Sequence, residues 1–267
     1  MRITGRSLFA GLLVGCAIAS AAPAAAQNAP AAPPVDKRPI GIQEPALALI
    51  KGMSDKLAKA KSMSFTVRRA FDELGAADQP LFYFVGSNVT IARPNRLKIV
   101  TTGDGPPSEV WFDGKELAVF MPKENMVAVM SAPADLDGAL EAAYVKGGFY
   151  LPFVDFIVAD PYKSITEKLT TAFVVGKSNQ VGGTITDVVA IANPNFQAQI
   201  WIGANDRLPR LAIINPARTN EKPRSIIEFS NWKIDRVAAS ESFRSDKAAK
   251  ARKIEFRAPK GSLQGAK

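Results

Sequence analysis

Along two stretches of this chain, residues 63–130 and 173–229, apolar side chains tend to return at every second position, and the links between segments are of hairpin length. Period two means strands with at least one face turned from water. Links this short cannot carry a parallel crossover, which needs about a dozen residues. Antiparallel sheet is therefore the expected frame. Met63, Phe65 and Val67 alternate with Ser64, Thr66 and Arg68. In the next strand, residues 80–91, Leu81, Phe82, Tyr83, Phe84 and Val85 are apolar on both faces, so the strand is covered twice or borders a cavity. After the break at Arg93-Pro94-Asn95-Arg96, Leu97, Ile99 and Thr101 alternate again. Asp113-Gly114, following Val110-Trp111-Phe112, is the strongest hairpin signal in the chain. Residues 117–121 and 125–130 continue the meander. Strands resume at 173–175, 184–191, 197–202, 210–214 and 225–229.

Helical spacing appears in two places. Glu44-Pro45 opens a helix in which Ala46, Ile50, Met53, Leu57 and Ala60 form one narrow apolar stripe, suited to lying on a sheet. Leu136, Leu140 and Tyr144 follow an Asp135 cap, and Gly147-Gly148 stops that helix. An apolar segment, 151–157, and a short helix from Asp160-Pro161 to Leu169 come next. The order is helix, strands, helices, strands. That order gives an α+β domain over 44–259 with an antiparallel sheet, not a doubly wound parallel one.

The residue inventory narrows function. There is no His and a single Cys among 267 residues. Ser-His-Asp and Cys-His catalysis and His-ligated metals are excluded, and no internal disulfide is open to the chain. No cofactor or metal is expected. No spacing forces two carboxylates together, so a hydrolase working by carboxylates alone has little support.

The termini speak of export. Arg2 and Arg6 precede an apolar run over residues 8–18, and Ala24-Ala25-Ala26 before Gln27 fits signal cleavage. Residues 1–26 are read as a signal peptide and the location as the periplasm. A second reading stays open: Leu13-Val14-Gly15-Cys16 fits a lipobox, which would make Cys16 the anchor of an outer-membrane lipoprotein. Residues 27–43, with Pro30, Pro33, Pro34 and Pro39, read as a linker, and 260–267 as a flexible tail. The formal net charge is +9, with Arg244, Lys247, Lys250, Arg252, Lys253, Arg257, Lys260 and Lys267 gathered at the C-terminus. Behind an export signal such an end suits an anionic membrane surface, not nucleic acid.

Several phrases in this order carry a resemblance: Arg93-Pro94-Asn95-Arg96-Leu97, Trp111-Phe112-Asp113-Gly114-Lys115, Leu151-Pro152-Phe153-Val154-Asp155, Gln199-Ile200-Trp201-Ile202, Leu208-Pro209-Arg210 and Trp232. Over about residues 45–257 the chain resembles a family of predicted periplasmic proteins similar to the LolA/LolB-like lipoprotein carriers. The resemblance implies a strongly curved, unclosed half-barrel with helices as a lid on its concave face. It also implies a non-enzymatic carrier holding acyl chains between sheet and lid, or a relative that senses lipoproteins or envelope stress. The family pattern places a Cys and a His in the strand occupied here by Thr184-Ile185-Thr186-Asp187-Val188-Val189, and neither is present.

The cavity expected from these readings is lined by Phe65, Phe82, Phe84, Trp111, Phe120, Met126, Met130 and Trp201 from strands, and by Phe153 and Phe156 from the lid. Met and aromatics suit an adaptable apolar site. The same residues equally suit a filled core, which would leave an interaction module without a small ligand. Arg93, Arg96 and Arg210 are candidates to pair with Asp155 or with a ligand headgroup. The partner is expected to be a hydrophobic ligand or acylated protein, bound by a monomer. Ten buried methylenes would supply roughly 8 kcal/mol before ordering costs, or about micromolar affinity.

Overall fold

The structure is a computed structural model and describes residues 41–216 and 224–258. The signal peptide, Cys16, nearly all of the linker and the tail 260–267 lie outside the described residues. Helix α1 (Glu44–Lys59) leads into the six strands β1 (Ser62–Leu74), β2 (Pro80–Ala92), β3 (Arg96–Gly103), β4 (Ser108–Phe112), β5 (Glu116–Met121) and β6 (Met126–Ser131). Helix α2 (Leu136–Gly147), one 3₁₀ turn (Val154–Phe156) and helix α3 (Pro161–Thr166) follow. A second run holds β7 (Thr171–Ser178), β8 (Thr186–Ala192), β9 (Phe196–Gly203), β10 (Pro209–Pro216) and β11 (Ser225–Ile234). Helix α4 (Asp246–Lys250) and β12 (Arg252–Ile254) are the last elements among the described residues.

All twelve strands join one sheet in the order β12-β6-β5-β4-β3-β2-β1-β11-β10-β9-β8-β7. Two antiparallel meanders are thus stitched together by the pairing of β1 with β11. The edges, β7 and β12, do not pair with each other, so the sheet is open. Laid flat, eleven spacings of about 4.8 Å would span about 53 Å. One continuous core nevertheless joins residues of β1–β11 to α1, α2 and the segment after α2. The sheet curves around these few helices, which cover its concave face.

Local sequence explains the cover. In α1 the buried residues Ala46, Ile50, Met53 and Leu57 are the stripe read from spacing. Asp135 caps α2, its carboxylate accepting from the Gly138 N–H at 2.8 Å. Gly148 ends α2 at φ 62°, a left-handed conformation that glycine adopts without strain. Asp160 caps α3, which ends at Thr166, three residues short of the expected Leu169.

The final segment departs from expectation. Residues 237–254 run back over the opposite, convex face, and β12 pairs with β6 in parallel. Arg244 forms an ion pair with the buried carboxylate of Asp113, and Lys98 Nζ lies 2.7 Å from Glu241 Oε1. Phe120, Val127, Ala248 and Ala251 form a small second core there. The basic residues from Arg244 to Lys253 therefore belong to a strap over the sheet.

Candidate functional site

The alternation of β1 decides what faces the lid. Met63, Phe65 and Val67 are buried on the covered face, opposite Ile91, Val89 and Ser87 of β2. A bulge opposite Ser64–Thr66 breaks the pairing of β1 with β11. With Asn231 at φ 56°, it lets both Phe229 and Trp232 meet Phe65. Phe153 meets Phe65 edge-on at 6.2 Å, and Phe156 lies 5.0 Å from Phe229. Five aromatic rings thus fill the middle of the concave face.

Beside this cluster the filling stops. A cavity of about 180 Å³ lies between the covered face of β1–β4 and the segment after α2, with Val67, Val85, Ile99, Val110, Leu151 and Phe153 on its walls. A second hollow of about 370 Å³ sits within the lid, between α2, Val154, Val158 and Ser164. Phe149, Tyr150 and Leu151 line both. These three residues, directly after Gly147-Gly148, are the partition between the two spaces.

Polar groups tie the lid to the sheet at Arg93 and hold the parts of the lid to one another. Arg93 Nη2 donates to the carbonyl oxygens of Ile157 and Val158 at 3.0 and 2.9 Å. The Asp137 carboxylate accepts from the Ala159 N–H at 3.0 Å. Asp155 accepts from Ser164 Oγ at 2.6 Å, and burial pushes its carboxyl above the ordinary value despite that bond.

Of the expected cavity residues, Phe65, Met130, Phe153 and Phe156 are buried in the core under the lid. The others need correction. Phe82 and Phe84 point to the convex face and are 61% and 55% exposed. Trp111 and Phe120 also lie on the convex face, beneath the strap, where Trp111 Nε1 donates to Glu109. Trp201 stands opposite Val188 and Leu211, outside the side shared by Ile200 and Ile202. Met126 is at the sheet margin, with Arg252 Nη2 2.7 Å from its sulfur. The reason is common to all five strand residues other than Met126: membership of a strand does not fix the face, and alternation sends half of the side chains outward.

The charged candidates do not converge either. Arg93 is the lid tether, Arg96 is exposed near the strap, Arg210 pairs with Asp206, and Asp155 bonds Ser164. One charged residue at the cavity was missed: Arg69, which continues the Met63, Phe65, Val67 alternation onto the covered face. A cation in an apolar phase was the signal.

Residues 46–257 match the family model described as "Predicted periplasmic protein (DUF2092)". The chain belongs to the DUF2092 family. No curated protein matches it significantly. Among solved structures, this DUF2092 chain is similar to an uncharacterized conserved protein from Thermus thermophilus, at 8% identity and TM-score 0.48, covering 79% of this chain and 99% of the other. It is also similar to LprF from Mycobacterium bovis, at 13% identity and TM-score 0.45, covering 77% and 98%. The LolA superfamily protein NE2245 from Nitrosomonas europaea matches at 14% identity and TM-score 0.33, covering 75% and 98%.

Proposed function

We propose that this DUF2092 protein is a periplasmic, non-catalytic binding protein that holds a hydrophobic ligand, a lipid or the acyl chain of a lipoprotein, between sheet and lid. The observation that carries the reading is the partition Phe149-Tyr150-Leu151 between two hollows. The cavity against the sheet, about 180 Å³, is smaller than the roughly 300–1,000 Å³ usual for a ligand site. Moving three residues hinged on Gly147-Gly148 would join it to the larger hollow. The walls are mostly apolar, and grip on an acyl chain there needs no reactive group. The exposed Lys247, Lys250 and Lys253 of the strap would favour approach to an anionic membrane surface.

Native mass spectrometry of protein purified from the envelope tests the reading, together with uptake of a fluorescent fatty acid by delipidated protein. A bound lipid mass and saturable uptake are expected. Absence of both would sink it. The five-ring aromatic cluster favours a second reading, an interaction or stress-sensing module with a filled face. That reading predicts no uptake and unchanged lid exchange in the presence of lipid.

A further inference from the structure

The covered face of β1 carries one cation among apolar residues. Met63, Phe65, Val67, Arg69 and Phe71 share this face by alternation. The Arg69 guanidinium lies 4.0 Å from the centroid of the Phe71 ring, and its Nε and Nη2 donate to Ser225 Oγ at 3.3 and 3.1 Å. Two of its five N–H donors thus converge on a single neutral hydroxyl. Among the described residues no Asp or Glu forms an ion pair with it. Burial lowers its pKa, against the opposing pull of Tyr150 and Glu73, yet a guanidinium keeps its charge at any physiological pH.

The same Arg69 borders the cavity beneath the lid. So do Ser87 and Thr101, whose hydroxyl oxygens are 2.8 Å apart. The remaining wall nearby is Val67, Val85 and Ile99. A half-buried cation with spare donors beside an apolar hollow matches an amphiphile with an anionic end. The planar fork of guanidinium suits the paired oxygens of phosphate and carboxylate equally.

We infer that Arg69 is the headgroup anchor: it binds the phosphate or carboxylate of an anionic amphiphile whose acyl chain lies along Val67, Val85 and Ile99. The inference rests on the proposed function and names the class of ligand. Arg69 acts as a binding and orienting group, with no bond made or broken.

The test uses the delipidated full chain and four probes at neutral pH: decanoate, decyl phosphate, decanol and inorganic phosphate. Affinities are read by displacement of a fluorescent fatty acid. Both anionic amphiphiles are expected to bind at least about tenfold tighter than decanol, the range of a charge-assisted hydrogen bond. Inorganic phosphate is expected not to compete. Arg69→Met should remove that preference, bringing both anionic amphiphiles down to the affinity that the same variant shows for decanol, and Arg69→Lys should restore part of it. Equal binding of decanol by the natural protein overturns the inference and leaves the proposed function standing. A preference that survives in a folded Arg69→Met also overturns it. Competition by inorganic phosphate as strong as that of decyl phosphate would mean a free-anion site and overturn the amphiphile. If no amphiphile binds the natural protein, the proposed function and the inference fall together. The comparison of probes on the natural protein stands even where Arg69→Met does not fold.

Discussion

The indole of Trp232 stacks on the ring of Phe65, with centroids 4.2 Å apart and planes 24° from parallel. The bulge between β1 and β11 makes this contact, since regular alternation would send Trp232 away from Phe229's face. Phe65 is 3% exposed and also meets Phe153 of the lid. Phe65→Ala should therefore cost about 3–5 kcal/mol of stability in urea unfolding. Phe82→Ala, on the exposed convex face, should change it by less than about 0.5 kcal/mol. A large loss from Phe82→Ala would show that the convex face of β2 is covered in solution.

The contrast between Phe65 and Phe82 also marks what could be read in the sequence. The antiparallel meanders, the stripe of α1 and the caps Asp135 and Gly148 were legible because each is a local rule of spacing or dihedral preference. The unclosed sheet with its helical cover followed from the resemblance. The facing of residues 81–85 was not legible, because apolar residues on both sides erase the period that assigns a face. The strap was missed because α4 has five residues and β12 three, too short to show a period, and because their basic residues read as a solvated end. Trp232's inward turn depends on a bulge that only the register with β1 defines. Arg69 was within reach, since it continues the phase of Met63, Phe65 and Val67.

Arg93 is expected to govern the lid. It donates two hydrogen bonds to carbonyls of residues 157 and 158, while its buried Nε has no partner among the described residues. Arg93→Met removes the tether but also the burden of a desolvated cation, so the net loss of stability should be modest, about 1–3 kcal/mol. The local effect should be larger. Hydrogen exchange across residues 149–159 should accelerate well beyond that of β1 and β11. Uniform acceleration over the whole sheet would show that Arg93 supports the fold and not the lid.

Two carboxyls, the half-buried Asp155 and the buried Asp113, should push stability in opposite directions with pH. Burial raises Asp155 above its ordinary value, although the Ser164 hydroxyl pulls it down. Its protonated form is favoured by folding, so its contribution is present below the unfolded value and lost as pH rises through the folded one. Asp155→Asn should therefore be more stable than the natural protein at neutral pH, with the gap closing in acid. Asp113 behaves oppositely. Burial would raise it, but the N–H groups of Glu116 and Lys115 and the Arg244 guanidinium outweigh burial and hold it low. Asp113→Asn should be less stable at neutral pH, and that gap should close as pH falls through the lowered folded value. Urea midpoints of both variants across the acid range check the pair of signs.

Gly52 lies inside α1, where glycine weakens a helix relative to alanine. A Cβ built there would meet the Arg207 side chain at 3.7 Å, an ordinary contact. Arg207 in turn pairs with the buried Asp187 at 3.1 Å, so the neighbour is fixed and not displaced. Gly52→Ala should raise stability by about 0.4–1 kcal/mol and leave ligand uptake unchanged. Lower stability would show that α1 lies closer to Arg207 than 3.7 Å allows.

Filling the hollow separates binding from folding most directly. Val85 lies on the cavity wall and is only half-buried, so a larger side chain there can extend into about 180 Å³ of space without displacing the five-ring cluster. Val85→Phe should keep the unfolding free energy within about 1 kcal/mol of the natural protein, since overpacking is costly only where no void receives the added volume. Uptake of a fluorescent fatty acid should fall at least about tenfold, because the acyl chain and the new ring compete for the same wall. Undiminished uptake would place the ligand in the hollow of about 370 Å³ within the lid, whose wall contains no residue of the sheet.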